Sequence, residues 1–325
     1  MSSHRIVVTG STFPSEVVGR LQAAGLVVEM IPGDLDEDWV VRALDGAWGY
    51  VLGGSERISR AAWARVPELR IVAFLGTGYQ SFLELPEPSG DLRFTYTPHA
   101  NSEAVAEFTV ALMLDLVRQV TSRVTLVADG KWTEGTTSSL IGGRLGICGT
   151  GHIGRAIARM AAAAFGMQIY YWNRTPRPEL AALGYRRCDS VLELCRAVNV
   201  LSINCAYVPG VNDNLIGAAE LAALGPEAFL VNTARAELVE PDALRVALES
   251  NVIAAAAIDG YYIEPTPQPE TDPYGLIRMI PDRLLVAPHS AYLSAHAAHR
   301  MAEMACESML ALHAGLAVPH AIPID

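Results

Sequence analysis

The sequence predicts an α/β protein of two doubly wound parallel sheets, and three observations predict it. Short apolar runs alternate with amphipathic stretches from end to end, the pattern of strands crossing over through helices into a parallel sheet. In mid-chain the apolar run Leu145–Cys148 enters Gly149-Thr-Gly-His-Ile-Gly154 and then a helix-like stretch from Arg155 to Phe165. A length of 325 residues gives room for two domains at roughly 100–200 residues each.

In the first part, strands are predicted at Arg5–Thr9, Val27–Ile31, Gly49–Leu52, Arg70–Phe74 and Arg93–Thr97, with helices near Ser15–Ala24, Asp36–Leu44 and Arg60–Val66. Residues 103–128 read as one long apolar helix after Asn101-Ser102, with Glu103 and Glu107 near its positive end. A helix so apolar calls for burial on several sides, as a bridging or subunit-facing element. A second series of strands follows at Leu145–Cys148, Gln168–Trp172, Asn199–Asn204, Ala228–Asn232, Ala255–Ile258 and Leu284–Ala287. The final helical run, about Ala291–Gly315, returns to the opening half, which lacks a closing helix of its own. Domains of 1–100 plus 291–325 and of 101–290 follow. Pro265–Pro273 reads as a surface loop, and no internal repeat is present.

A net charge of −11 argues against a nucleic-acid partner. No apolar run approaches the ~18 residues of a membrane span. The opening Met-Ser-Ser-His-Arg-Ile-Val-Val lacks the features of a signal peptide. The five cysteines, Cys148, Cys188, Cys195, Cys205 and Cys306, show no metal-ligand spacing. An odd number of thiols in apolar surroundings fits reduced packing residues and a cytoplasmic location. No metal is expected.

The glycine triplet has a physical reading. Gly149 makes the tight turn, Gly151 lets the backbone approach a pyrophosphate, and Gly154 lets helix pack on strand. Thr150, His152 and Ile153 complete the loop, whose N–H groups would face the anion at the positive end of the helix. Dinucleotide binding is the expectation, because strand, glycines, helix and second strand occur in order.

Three ionisable residues follow strand ends in the same half: Arg235 after Phe229–Ala234, Glu264 after Ala257–Ile263, and His289 after Leu284–Pro288. Ligands of open parallel sheets bind beyond the carboxyl ends of strands. Arginine offers a planar fork for a carboxylate and an adjacent keto oxygen. Histidine gives and takes protons near neutrality, and a carboxylate partner would fix its tautomer and stabilise its charged form. Asp259 is read as a buttress of its strand end or a ribose contact.

With these residues in view, the chain resembles the NAD(P)-dependent D-2-hydroxyacid dehydrogenases along nearly its whole length. The motifs are Gly149–Gly154, Val231-Asn-Thr-Ala-Arg235, Ala257-Ile-Asp259 with Glu264-Pro265, and Ala287-Pro-His289. The resemblance implies a Rossmann cofactor domain inserted in a flavodoxin-like substrate domain, a cleft between them, and a homodimer. It implies hydride transfer between nicotinamide and a small 2-keto or 2-hydroxy acid of D stereochemistry, as in glyoxylate and hydroxypyruvate reductases. Arg235 would bind and polarise the substrate, His289 would be the acid/base, and Glu264 would tune it. Cys205, Ala206, Thr233 and Ala234 would join the cofactor contacts. Backbone N–H groups at Thr77 and Gly78 are suited to a carboxylate. Asn101, in a segment similar to formate and phosphoglycerate dehydrogenases, and Arg57 complete the candidate substrate set.

The chain departs from the family at Gln80, where Asp is usual, and at Ala236, where Gly is usual. It departs again at Ala206–Gly210, in place of a Pro-Leu-Thr loop, and at Tyr292, where a small residue is common. These departures point to a pocket of its own. Asn204-Cys205 is similar to formate dehydrogenase, but that enzyme has Gln at the place of Glu264. Phosphite dehydrogenase carries a lysine in the loop that here holds Gly76 and Thr77. A dehydrogenase of a phosphonate or other specialised acid is one alternative. A nicotinamide-sensing binding protein, like the resembling corepressors, is another, and the retained Arg-Glu-His set weighs against it.

The second strand of a dinucleotide fold commonly ends in the acidic residue that holds the ribose diol. Here Asn173 stands there, followed by Arg174 and Thr175. Loss of the carboxylate and gain of an arginine favour NADP(H) within an NAD(P)(H) site.

Overall fold

The computed structural model describes residues 4–10, 13–31, 35–54, 56–86 and 91–322. The chain divides into two compact units, Met1–Asn101 with Leu293–Asp325, and Ser102–Tyr292.

The first unit contains β1 (Arg5–Thr9), α1 (Ser15–Ala23), β2 (Val27–Ile31), α2 (Glu37–Ala43), β3 (Gly49–Leu52), β4 (Ile71–Phe74) and β5 (Arg93–Thr95). Its five strands are all parallel, in the order β2-β1-β3-β4-β5, the flavodoxin-like arrangement. β1, β3 and β4 are apolar runs buried on both faces, as central parallel strands must be. β2 lies at the edge and is more exposed. Asp36 starts α2 by accepting from the Trp39 N–H at 2.7 Å. The stretch at Arg60–Arg65, expected as an α-helix, is a 3₁₀ turn.

The second unit begins with α3 (Ser102–Arg118) and α4 (Val120–Ala128). The single helix expected over 103–128 is therefore two. Gln119 takes a left-handed backbone, φ 53°. The Asp115 carboxylate, from the last turn of α3, accepts from the Thr121 N–H at 2.8 Å and the Thr121 hydroxyl at 2.5 Å. It thus satisfies the start of the second helix and makes the break a built feature. The expected burial holds for α3, which buries Val105, Ala106, Met113, Leu116 and Val117. It fails for α4, which buries no residue.

Next come β6 (Arg144–Cys148), α5 (His152–Phe165), β7 (Gln168–Trp172), β8 (Arg186–Arg187), α6 (Val191–Ala197), β9 (Val200–Ile203), α7 (Ala218–Leu224), β10 (Phe229–Asn232), α8 (Pro241–Glu249), β11 (Ala255–Asp259) and β12 (Leu284–Ala287). The seven parallel strands lie in the order β12-β11-β10-β9-β6-β7-β8. The order reverses between β6 and β9, the switch point at which such sheets open a crevice. Two apolar clusters cover the sheet, one under α6, α7 and α8, the other under α3 and α5.

Helix α9 (Ala295–His313) belongs to the first unit and buries Met301, Met304 and Met309. Ser294 caps it by accepting from the Ala297 N–H at 3.1 Å. Among the described residues, no helix is long and apolar enough to cross a membrane.

Candidate active site

The glycine loop lies at the switch point. Gly149 has φ 100°, and a Cβ there would come within 2.6 Å of the Cys205 nitrogen. Gly154 has no room either, since a Cβ would meet the Gly149 carbonyl oxygen at 2.1 Å and Ile147 at 2.9 Å. A Cβ on Gly151 would meet nothing within 4 Å. The loop is thus tight at its two ends and open at its centre. Gly151 leads into the 14-residue α5 with no side-chain cap, so the first N–H groups of that helix lack a side-chain acceptor. The Thr150 hydroxyl is buried and without a hydrogen-bond partner among the described residues. An uncapped helix start, an open glycine and an orphaned hydroxyl fit the pyrophosphate of a dinucleotide. His152 and Ile153 form the first turn of α5, and Ile153 packs on the core below.

Asn173 follows β7 and spans back to this loop. Its Oδ1 accepts from the Thr150 N–H at 3.0 Å, and its Nδ2 donates to the Thr175 carbonyl at 2.7 Å. Both ends of the amide are therefore engaged by backbone. Arg174 and Thr175 are exposed, and among the described residues the Arg174 guanidinium has no hydrogen-bond or ion-pair partner. Cys205 and Ala206 begin the loop that replaces the family's usual one. Asn212 holds it by accepting from the Val208 N–H and donating to the Ala206 carbonyl. Asp213 holds it too, accepting from the Gly210 N–H and the Tyr207 hydroxyl. That bond and burial push the Tyr207 phenol up to about 12.

The three ionisable candidates come together. His289 Nδ1 lies 3.1 and 3.2 Å from the two Glu264 oxygens, and His289 Nε2 lies 3.4 Å from Arg235 Nη1. Glu264 thereby takes the Nδ1–H, which leaves Nε2 as the exchangeable position on the arginine side. The hydrogen bond to His289 holds the Glu264 carboxyl below its ordinary value, helped by the Tyr261 N–H at 3.1 Å and the Arg235 charge, against the opposing pull of burial.

Each member is fixed by backbone-directed bonds. The buried Asn232 donates to the Arg235 carbonyl at 2.7 Å and accepts from the Ala234 N–H at 3.0 Å, curling the loop after β10. The Thr233 hydroxyl is bonded to that of Thr109 on α3, 2.8 Å away. Asp259, buried at the end of β11, accepts from the Ser290 and Ala291 N–H groups at 2.8 and 2.9 Å. Both its oxygens serve the strand-end loop, the buttressing half of its expected role. His289 itself has φ 52°.

Among the candidates of the first unit, the Thr77 hydroxyl donates to Asn101 Oδ1 at 3.2 Å. Gly78 precedes a short 3₁₀ turn, Tyr79–Ser81, that includes Gln80. Arg57 is exposed.

Residues 110–291 match the family model described as "D-isomer specific 2-hydroxyacid dehydrogenase, NAD binding domain", more than half of the chain. The chain belongs to this dehydrogenase family. A glyoxylate reductase of Aeropyrum pernix is 33% identical over 278 residues, covering 82% of this chain and 80% of that one. A crystal structure of a Thermus thermophilus protein superposes with a TM-score of 0.86 at 30% identity, covering 98% of this chain and all of that one. The NADPH-dependent glyoxylate/hydroxypyruvate reductase of Sinorhizobium meliloti, solved with NADP and malonate, gives 0.77 at 26% identity, with 99% and 98% covered. The dehydrogenase thus carries a nicotinamide-binding domain of Rossmann type and, within it, an arginine–histidine–glutamate line after three consecutive strands.

Gly260, Tyr261, Asn232 and Asp272 shape this line, and sequence reasoning did not single them out. Gly260 has φ 88°, and a Cβ there would stand 2.7 Å from Glu264 Oε1 and 3.4 Å from His289 Nδ1. The signal for Asn232 was a polar residue closing an apolar strand. For Gly260 the only signal was a glycine directly after a strand-ending Asp. The Tyr292 ring stands edge-on to His289, with centroids 6.4 Å apart.

Gly260→Ala is a direct test of the line. The new methyl must displace the Glu264 carboxylate and sits in a backbone region that disfavours it. We expect kcat to fall at least about tenfold, the effect of ~1.4 kcal/mol on the barrier, with cofactor affinity retained. An unchanged kcat in the folded variant would separate the Glu264 contact from catalysis.

Proposed function

We propose that this dehydrogenase reduces a small 2-keto acid, glyoxylate or hydroxypyruvate first among them, to the D-2-hydroxy acid. The observation that carries the reading is the alignment of Arg235, His289 and Glu264 within one unit that also holds the glycine loop. The nicotinamide, when bound, supplies or accepts the hydride. Arg235 binds the substrate carboxylate and keto oxygen through its planar fork, drawing negative charge toward the oxygen as it forms. His289 delivers a proton from Nε2 to that oxygen, and the same atom takes it back in the oxidation direction. Glu264 keeps the ring oriented by holding Nδ1–H. Backbone N–H groups at Thr77 and Gly78, Asn101 oriented by Thr77, and Arg57 are the candidate substrate contacts of the first unit.

His289→Asn should lower kcat for glyoxylate and hydroxypyruvate by about 10²–10⁴-fold, the usual worth of a positioned proton donor, while NADPH binding by fluorescence titration stays as in the parent. Turnover at the parent rate would remove His289 from the mechanism.

We also infer a preference for NADP(H). Asn173 brings no negative charge to the end of β7, and the exposed Arg174 next to it is suited to a 2′-phosphate. Its substitution, Arg174→Ser, removes one charge-assisted contact, on the order of 1.5–3 kcal/mol. KM for NADPH should rise at least about tenfold with KM for NADH nearly constant; equal changes in both would refute the assignment.

Helix α4 is assigned to a homodimer interface. Val120, Val124 and Val127 are 51%, 64% and 57% exposed on it, and Trp132 and Ile141 beyond it are 84% and 79% exposed. A face this apolar and this bare marks an association surface. Sedimentation of the purified protein should show a dimer at micromolar concentration, converted to monomer by Val124→Asp. A monomeric parent would overturn the assignment.

A further inference from the structure

Cys148 is the last residue of β6, and Cys205 lies two residues beyond the end of β9. These are the two strands between which the sheet order reverses. They pair in parallel with Cys148 opposite Ile203. Both cysteines pack in the same apolar cluster.

The backbones close in at this point. The Asn204 N–H donates to the Cys148 carbonyl at 2.7 Å. A Cβ on Gly149 would stand 2.6 Å from the Cys205 nitrogen and 2.7 Å from its Cα. The two thiols are neighbours there, each acting on the other's proton. Cys148 is fully buried and Cys205 is partly exposed, so the second is the more accessible residue of the two. The neighbouring Cys148 thiol holds the Cys205 thiol below its ordinary value. The other described cysteines go the opposite way: burial pushes Cys188 to about 11 and Cys195 to about 12, and it raises Cys306. Thiolate character and access select the cysteine that reacts.

We propose that Cys148 and Cys205 are a modification site for hydroperoxides, in which Cys205 is oxidised and Cys148 captures the product as a disulfide at the root of the cofactor loop. In the first step the Cys205 thiolate attacks a peroxide oxygen. The S–O bond forms, the O–O bond breaks, sulfur loses two electrons, and the peroxide leaves as hydroxide or alkoxide that takes a proton. In the second step Cys148 sulfur attacks Cys205 sulfur. The S–S bond forms, the S–O bond breaks, and the departing hydroxide leaves as water with the Cys148 proton. Two thiols and one hydrogen peroxide thus give a disulfide and two waters.

The disulfide fixes the two sulfurs at about 2.05 Å. Cys148 directly precedes Gly149, and the Cys205 backbone already crowds that glycine, so closure acts on the glycine turn. The predicted loss of cofactor affinity rests on the reading of that turn as the cofactor site; the disulfide itself does not.

The test uses the full-length protein without added cofactor, treated with a few equivalents of hydrogen peroxide and then alkylated. Peptide mass mapping should show one cross-link joining Cys148 and Cys205, a loss of about 2 Da, reversed by dithiothreitol. NADPH affinity of the oxidised form should fall at least about tenfold and return on reduction. In Cys148→Ala and in Cys148→Ser, the cross-link should be replaced by a gain of about 32 Da on Cys205 that dithiothreitol does not reverse. Cross-links among other cysteines, or oxygen addition without a cross-link in the parent, would overturn the proposal. A disulfide that leaves NADPH affinity unchanged would overturn the coupling to the loop. A reduced protein that binds no NADPH, yet forms the cross-link, would sink the cofactor reading while the modification site stands.

Discussion

The buried carboxylate of Asp259 is the constraint on which the placement of His289 beside Glu264 and Arg235 depends. It ends β11, opposite Ala287 of β12, and is 5% exposed. Its two oxygens take the Ser290 and Ala291 N–H groups, which would otherwise be stranded after the strand at a cost of roughly 1–3 kcal/mol each. His289 lies just before these two residues, in a left-handed backbone that a bulky side chain rarely adopts. The strain is tolerable because both sides of the residue are pinned: Ala287 in the ladder, Ser290 and Ala291 on Asp259. The ring orientation that puts Nδ1 on Glu264 and Nε2 toward Arg235 follows from that pinning.

The cofactor loop obeys a different constraint, close approach. Gly149 and Gly154 are needed because atoms of the backbone already occupy the places where their side chains would stand. Gly151 differs, since a Cβ there would meet nothing within 4 Å. One stretch of six residues therefore combines two contacts that exclude side chains with one open position. The Asn173 amide spans from the end of β7 to the same loop, so a residue just after the strand next to β6 holds the glycine turn.

Much of this was legible in the residues. Apolar runs with alternating helical patterns gave eleven of the parallel strands closely, since strands buried on both faces leave a continuous apolar signature; the two-residue β8, Arg186–Arg187, is exposed and charged and left no such signal. Arg235, Glu264 and His289 were legible because each directly follows such a run. What stayed hidden has physical reasons. The break at Gln119 depends on Asp115 reaching Thr121, and a side-chain cap formed across a helix end leaves the apolar periodicity on both sides intact. The bareness of α4 was hidden because an apolar pattern states that burial is needed but not whether this chain supplies it. Gly260 was hidden because its role is defined by Glu264 and His289, four and 29 residues away, and only folding brings them together.

The Pro265–Pro273 stretch, which composition marks as a surface loop, shows how a loop achieves precision. Its next-to-last residue is Asp272, a buried carboxylate that accepts from the Tyr261 hydroxyl at 2.9 and 2.8 Å and from the Tyr274, Leu276 and Ile277 N–H groups. Burial alone would lift the Asp272 carboxyl, but these bonds outweigh it and the net shift is downward; a buried charge is tolerated when its lone pairs are filled. Tyr261 is thus fixed at its hydroxyl end by Asp272, while its N–H holds Glu264. Tyr262, its neighbour, donates to the Val239 carbonyl, tying the same segment to the chain that follows Arg235. The carboxylate that orients the histidine is therefore positioned by a network spanning residues 239 to 277, and its geometry belongs to the segment rather than to the Glu264–His289 pair alone.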